Sequence, residues 1–247
     1  MFPTICQIGP LTIHSYGLML ALSVVICAIC LGRDAGKLGI KPESIYDFTF
    51  WVVISGLLGA RMLYVLLNFD HYLKNPKEIM MLHEGGLAWQ GGFLLGALVG
   101  ILYVRWKKWD LILFLDLVSP YIALGQAIGR LGCFLNGCCY GLPYTYGVYF
   151  PVHGQRLHPT QLYEAAGLFF IFISLKQLRK TQHVNGQIFV VYLLAASLLR
   201  FWVEYYRGDH EIVWHDFSPF QLSCVVIFIA GLIFNAVIVG KAKKKSL

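Results

Sequence analysis

Arg200, Glu204 and Arg207 sit near the end of one apolar stretch at spacings of four and three, which puts them on one face of a helix. Arg61 lies two-thirds along another apolar stretch, with Tyr64 at helical spacing. Arg130 follows a third, inside the glycine-rich run Gly129-Arg-Leu-Gly-Cys-Phe-Leu-Asn-Gly-Cys-Cys-Tyr-Gly141. Guanidinium groups present donors in a fork that matches phosphate or carboxylate. An Arg at membrane depth is disfavoured by roughly 2.5–3.5 kcal/mol on insertion scales, so it usually has a partner or a task. Arg200–Glu204 alone reads equally well as a structural ion pair. Arg130 alone reads as a snorkelling side chain at a helix end. Four arginines against few carboxylates shift the balance, because such a cluster needs an anion, and in a membrane lipid phosphate is the abundant one. The run around Arg130 is poor helix material and predicts a bend with free amides beside the cation.

Further side chains could take part. His158-Pro159-Thr160-Gln161-Leu162-Tyr163-Glu164 opens an apolar run, and Pro159 and Thr160 suit a helix start. His158 could act as a general base, but a capping or orienting role is the commoner one. His14 and Tyr16 are two apart, so they share a site only where the backbone is irregular. Gln90 stands beside Gly91 and Gly92, either reaching into a cavity or bonding to a neighbouring helix. Gly92, Gly96 and Gly100 repeat every four residues, the spacing of a helix-packing face. Among the seven cysteines, Cys133, Cys138 and Cys139 have His153 and His158 near in sequence. Their spacing matches no paired Cys-x-x-Cys arrangement, so neither a metal nor another cofactor is expected, and any disulfide pairing is unreadable.

The elements that carry these residues are membrane spans. The chain of 247 residues is 57% hydrophobic and only 13% charged, with a mean hydropathy of +0.64, whereas a soluble domain carries roughly 25% charged residues. Apolar runs cover about 11–31, 46–67, 85–104, 111–128, 162–175, 187–206 and 220–239. At about 20 residues per span they predict an all-α integral membrane protein with seven transmembrane helices. No repeat or linker interrupts it, so 1–247 reads as one domain, with 129–160 a loop or head segment between spans four and five. No cleavable signal peptide is read in Met1–Pro10. Of the 20 Lys and Arg residues, 13 fall in one set of loops and the C-terminal tail. The positive-inside rule therefore puts the tail in the cytoplasm and the N-terminus outside. The net charge of +7 is accounted for by topology, so nucleic acid is not expected as a partner.

Taken in order, these motifs resemble the prolipoprotein diacylglyceryl transferase family over nearly the whole chain. The resemblance rests on Ile8-Gly-Pro10 with His14-x-Tyr16-Gly17-Leu-Met19, on Gly59-Ala-Arg61 with Tyr64, and on Gly85-Gly86 with Gln90-Gly-Gly92. It continues through Gly129-Arg-Leu-Gly132 with Asn136-Gly137 and Gly141, His158-Pro-Thr-Gln-Leu-Tyr-Glu164, and Arg200-x-x-x-Glu204-x-x-Arg207. It implies a bacterial inner-membrane enzyme that moves the diacylglyceryl group of phosphatidylglycerol to the lipobox Cys thiol of a preprolipoprotein, releasing glycerol phosphate. By resemblance, Arg130 and Arg200 bind phosphate and catalyse. Tyr16 and Asn136 hold the head group, Glu204 and Arg207 position Arg200 or gate entry, and Arg61, Gln90 and Gly141 line the substrate site. Family members often carry a His, assigned as the base, where this chain has Gln90, and Gln takes up no proton. The base is then His14 or His158, or the arginines promote thiolate formation without one. Members also commonly have Asn at the position of Cys133 and another pair at Cys138-Cys139, which leaves room for a paralogue with an altered acceptor. A lipid or solute transporter could also use intramembrane arginines, but no inverted repeat is visible.

Overall fold

The computed structural model describes residues 1–8, 11–81, 85–209 and 217–245. Residues 9 and 10 of the Ile8-Gly-Pro10 motif and most of the loop before Ser218 lie outside them. Two compact units are formed, one of Met1–Leu31 with Leu115–Leu247 and one of Gly32–Phe114. Among the described residues seven helices have 18 residues or more: α1 Ser15–Gly36, α2 Pro42–Leu67, α4 Trp89–Trp106, α5 Leu111–Asn136, α6 Thr160–Leu178, α7 Gln187–Glu204 and α8 Pro219–Lys245. A short α3, Phe69–Lys74, and a single 3-10 turn, Pro76–Met80, follow α2. Five helices (α1, α2, α5, α7 and α8) are long and apolar enough to cross a membrane. Helix α4 is diluted by Gln90, Arg105 and four glycines, and α6 by Glu164 and Lys176. Phe170 is 71% exposed and Val226 66%. Such apolar side chains pointing outward on long helices suit contact with lipid and make this a multi-pass membrane protein.

Two differences from the sequence reading matter. The first apolar run does not start a helix at residue 11. Thr4–Ile8 (β1) and Leu11–His14 (β2) pair antiparallel, and the Ser15 amide and hydroxyl both donate to the Pro3 carbonyl. β-branched Thr12 and Ile13 suit a strand. A second hairpin, Pro143–Phe150 (β3) with Gln155–Leu157 (β4), lies between α5 and α6. The mostly helical protein thus carries two small sheets.

The predicted bend at Arg130 is absent. Helix α5 runs through Gly129 and Gly132 to Asn136, so the amides expected to be free are spent inside a helix. A Cβ on Gly132 would lie 3.0 Å from Met19 Cβ and 3.5 Å from Tyr16 Cα, so this glycine lets α1 approach α5 closely and packing offsets its poor propensity. The helix stops at Gly137, whose φ is +81°. There the Cys138 amide donates to Cys133 O (3.2 Å) and the Gly137 amide to Phe134 O (3.2 Å), the two bonds of a Schellman cap.

The Gly32–Phe114 unit is built on α2 against α4. Cβ atoms on Gly59 or Gly91 would each run into the other's carbonyl oxygen, whereas Gly96 and Gly100 leave 3.4 Å to their neighbours. The closest crossing is therefore Gly59–Gly91, one position off the four-residue repeat. In the other unit, Asp116 of α5 is buried and its carboxylate accepts the Gly186 and Phe189 amides at 2.6 and 2.9 Å, capping the start of α7 from a neighbouring helix. Asp116→Ala leaves those donors unsatisfied and is expected to cost about 1–3 kcal/mol. The check is a lower thermal midpoint in detergent, and an unchanged midpoint would rule out the cap as a stabilising contact.

Candidate active site

The ends of α5, α6 and α7 bring an alternating row of charges together. Arg130 Nη2 lies 2.9 Å from Glu164 Oε1, and Arg200 Nη1 is 3.7 Å from Glu164 Oε2. Arg200 Nη2 is 2.6 Å from Glu204 Oε2, a charge contact without hydrogen-bond alignment. Arg207 Nε is 3.7 Å from the same Oε2 and bonds through two nitrogens to Asp209 at 2.8 Å. Glu204 is 1% exposed, and its Oε1 accepts the Ser218 hydroxyl at 2.8 Å. Ser218 also begins α8 through a reciprocal capping box, its Oγ accepting the Gln221 amide while its own amide donates to Gln221 Oε1.

This row corrects the expected surplus of cations. Arg130, Arg200 and Arg207 are matched by Glu164, Glu204 and Asp209. Unpaired guanidinium groups at this depth would be strongly disfavoured, and the carboxylates remove most of that cost. One donor remains: Arg200 Nη1 is buried without a hydrogen-bond partner. Burial works against the charge of Arg207, but its bonds to Asp209 prevail and hold its pKa above the ordinary range. Glu164 is the residue that sequence reasoning missed. It is visible as a carboxylate near the start of an apolar run, but sequence alone does not say that it joins two arginines.

Other predicted residues belong to the same unit. Tyr16, the second residue of α1, is within electrostatic reach of Arg130. His14 is the exposed last residue of β2 and pairs with Thr4, so strand and helix meet between it and Tyr16. Asn136 ends α5. Gly141 stands where three segments cross. Its amide donates to His158 O, Leu142 donates to Tyr206 O, and Gly208 donates to Tyr140 O. A Cβ on Gly141 would lie 2.5 Å from His158 Cβ and 2.6 Å from Tyr206 O, so only glycine fits without displacement. His158 has its Nδ1 3.2 Å from the Tyr163 hydroxyl and its ring stacked 4.1 Å from that of Tyr144. With Tyr163, Trp202, Val203 and Tyr206 it lines an open cleft of about 380 Å³.

Cys133, Cys138 and Cys139 also meet, their sulfurs all within 4.8 Å of one another. Hydrogen bonds from Cys133 and Cys138, then the charges of Arg207 and Arg130, outweigh burial and hold the Cys139 thiol below its ordinary range.

Arg61 and Gln90 belong to the Gly32–Phe114 unit. Gln90 is exposed in the first turn of α4. Arg61 is buried and donates to the carbonyls of Glu78, Ile79, Gly85 and Gly86, with the Tyr72 ring 5.3 Å away. It clamps the chain between α3 and α4. Arg61→Ala is therefore expected to speed backbone hydrogen exchange in the described parts of 76–88 by about tenfold or more. Unchanged exchange there would show that the clamp is dispensable.

Comparison with known proteins bears on the chain as a whole. The family model described as prolipoprotein diacylglyceryl transferase matches residues 3–237. The chain is 32% identical to the phosphatidylglycerol–prolipoprotein diacylglyceryl transferase of Clostridium tetani over 244 residues, 95% of this chain and 97% of that protein. It is 35% identical to that of Finegoldia magna over 221 residues, 89% of each chain. With that of Fervidobacterium nodosum it shares 33% identity, covering 98% of this chain and 86% of the relative.

Proposed function

The chain belongs to the prolipoprotein diacylglyceryl transferase family, and from that premise we propose that it transfers the diacylglyceryl group of phosphatidylglycerol to the lipobox cysteine of a preprolipoprotein, in the first step of bacterial lipoprotein maturation. The observation that carries the site assignment is the meeting of Arg130 and Arg200, from two helices, on the single carboxylate of Glu164. Glu164 sets one negative charge beside both guanidinium groups before substrate arrives. The buried, unpartnered Nη1 of Arg200 is a donor in place for an incoming oxygen.

The acceptor thiolate attacks the glycerol carbon that bears the phosphate. A carbon–sulfur bond forms, the carbon–oxygen bond breaks, and its electron pair leaves on the phosphate as glycerol phosphate. The phosphodiester carries one negative charge and the departing monoester gains a second, so cations beside it bind the leaving group more strongly than the substrate. That difference lowers the barrier. Arg130 and Arg200 supply it, with Tyr16 and Asn136 on the head group and Glu204 and Arg207 fixing Arg200 from its other side. Gly141 shapes the wall. Arg61 and Gln90 are the further substrate-binding candidates, and Gln90 offers hydrogen bonds but no base. His14 and His158 are the remaining candidates for that proton. The aromatic cleft beside His158 suits the apolar part of the lipobox peptide.

The seven long helices are taken as seven spans of one domain in the cytoplasmic membrane, N-terminus outside and C-terminus inside, as the distribution of Lys and Arg supports. The test is incubation of the purified protein with phosphatidylglycerol and a lipobox peptide. The expected products are the diacylglyceryl thioether and glycerol phosphate in equal amounts. Unmodified peptide with intact lipid would rule the transferase out, and glycerol phosphate without modified peptide would point to another acceptor.

A further inference from the structure

Three thiols stand beside the arginine row, and the reaction as described makes no use of them. Cys133 is buried in the last turn of α5, while Cys138 and Cys139 follow the Schellman cap. In a tetrahedral zinc site, bonds of about 2.3 Å place the sulfurs about 3.8 Å apart. Here all three already lie within 4.8 Å of one another, so closing on an ion takes side-chain movement of about 1 Å or less. The backbone that presents them is held from α6. Gln161 Nε2 donates to Cys138 O at 2.6 Å and Thr160 Oγ1 to Cys139 O at 2.8 Å. These bonds accompany a φ of +59° at Cys139, a left-handed conformation that non-glycine residues adopt rarely. Such outer bonds to the ligand-bearing backbone are what a metal site needs to keep its ligands aimed.

We propose that Cys133, Cys138 and Cys139 form a three-thiolate site for a thiophilic divalent ion of the zinc type, and that its fourth position takes the acceptor thiol. Among the described residues no fourth His, Cys, Asp or Glu joins the group. The nearby histidines are engaged elsewhere: His153 Nε2 is 3.1 Å from Gly137 O, and His158 is held by Tyr163 and Tyr144. Three thiolates around a divalent ion carry one net negative charge, and the guanidinium groups of Arg207 and Arg130, themselves paired with Asp209 and Glu164, are within electrostatic reach of Cys139. The second half of the inference rests on the transferase reading. Coordination of the acceptor thiol releases its proton to solvent and leaves a bound thiolate. That sulfur bonds to the glycerol carbon as the carbon–oxygen bond breaks and the electron pair leaves on the phosphate beside Arg130. The metal keeps its oxidation state. The product thioether is neutral, binds more weakly than the thiolate and departs.

The test begins with full-length protein in detergent under mild reductant, freed of metal with a chelator and titrated with Zn(II) or Co(II). One equivalent is expected to bind, with thiolate-to-cobalt charge-transfer absorption. Cys133→Ser or Cys139→Ser should each lower affinity by more than about 100-fold, since even outer-shell losses cost 10–100-fold. Cys6→Ser, at an exposed cysteine outside the group, should change nothing. A lipobox peptide should shift the visible bands of the cobalt form, and its Cys→Ser version should not. Failure to bind metal with all seven thiols reduced, or isolation of a disulfide within the trio that reductant does not open, overturns the site. Cobalt bands indifferent to the peptide overturn the open position. Full transfer by metal-free protein overturns the activating role and leaves the transferase reading intact. Peptide-dependent bands without any transfer remove that reading and leave the metal site standing.

Discussion

Arg130→Ala is expected to lower diacylglyceryl transfer by about 1,000-fold or more, because it removes a cation placed where charge grows on the leaving phosphate. Arg200→Ala should match it. Each arginine is buried among charges, so loss of activity could also follow from loss of fold. Arg130→Lys separates the two outcomes: it keeps the positive charge next to Glu164 but not the fork of donors that a phosphate can use bidentately. The lysine variant should therefore insert and melt like the parent yet transfer roughly 10- to 100-fold more slowly. Turnover of phosphatidylglycerol into thioether, set beside the thermal midpoint, reads both. Parental rates in a folded Arg130→Ala protein would remove Arg130 from the reaction and with it the site proposed here.

Glu164→Gln should produce an opposite pattern in stability. The change leaves Arg130 and Arg200 facing each other without the charge that joins them, and breaking a buried pair from one side costs about 3–5 kcal/mol. In a neutral detergent the variant is expected to melt at least 5 °C below the parent, at roughly 2–4 °C per kcal/mol for a chain of this size. An anionic phospholipid can supply the missing charge. Phosphatidylglycerol should therefore raise the midpoint of the variant by more than it raises that of the parent, while phosphatidylcholine does not. Equal stabilisation of both proteins by both lipids would mean that no lipid phosphate approaches Glu164. Transfer by the variant should still fall by about 100-fold, since the arginines lose their common anchor.

Which parts of this site the sequence disclosed follows from range. Arg200, Glu204 and Arg207 were readable as one face because helical spacing is local. The family motifs named Arg130 with them because their order along the chain is fixed. Glu164 was not readable as their partner, since its meeting with Arg130 and Arg200 joins three helices. The glycines of α5 misled for a related reason. Propensity counts the entropy that Gly132 loses in a helix, but not the approach of α1 that its missing side chain permits. At the N-terminus, hydropathy sees Leu11–His14 as continuous with the span, and only the pairing with Thr4–Ile8 makes it a strand. The cysteine spacing seemed wrong for a cluster because motif rules assume a loop or hairpin, whereas here a helix cap folds Cys138 and Cys139 back over Cys133.

The bond from Ser218 to Glu204 has a consequence for biogenesis. Ser218 caps α8, which is made after α5, α6 and α7, and its hydroxyl bonds one oxygen of the carboxylate that stands between Arg200 and Arg207. While the ribosome is still adding residues before 218, that carboxylate lacks its hydroxyl donor, even when α5, α6 and α7 are already made. The row is thus completed only once the start of α8 has been made. A chain released before residue 218 holds its arginines without the finished row.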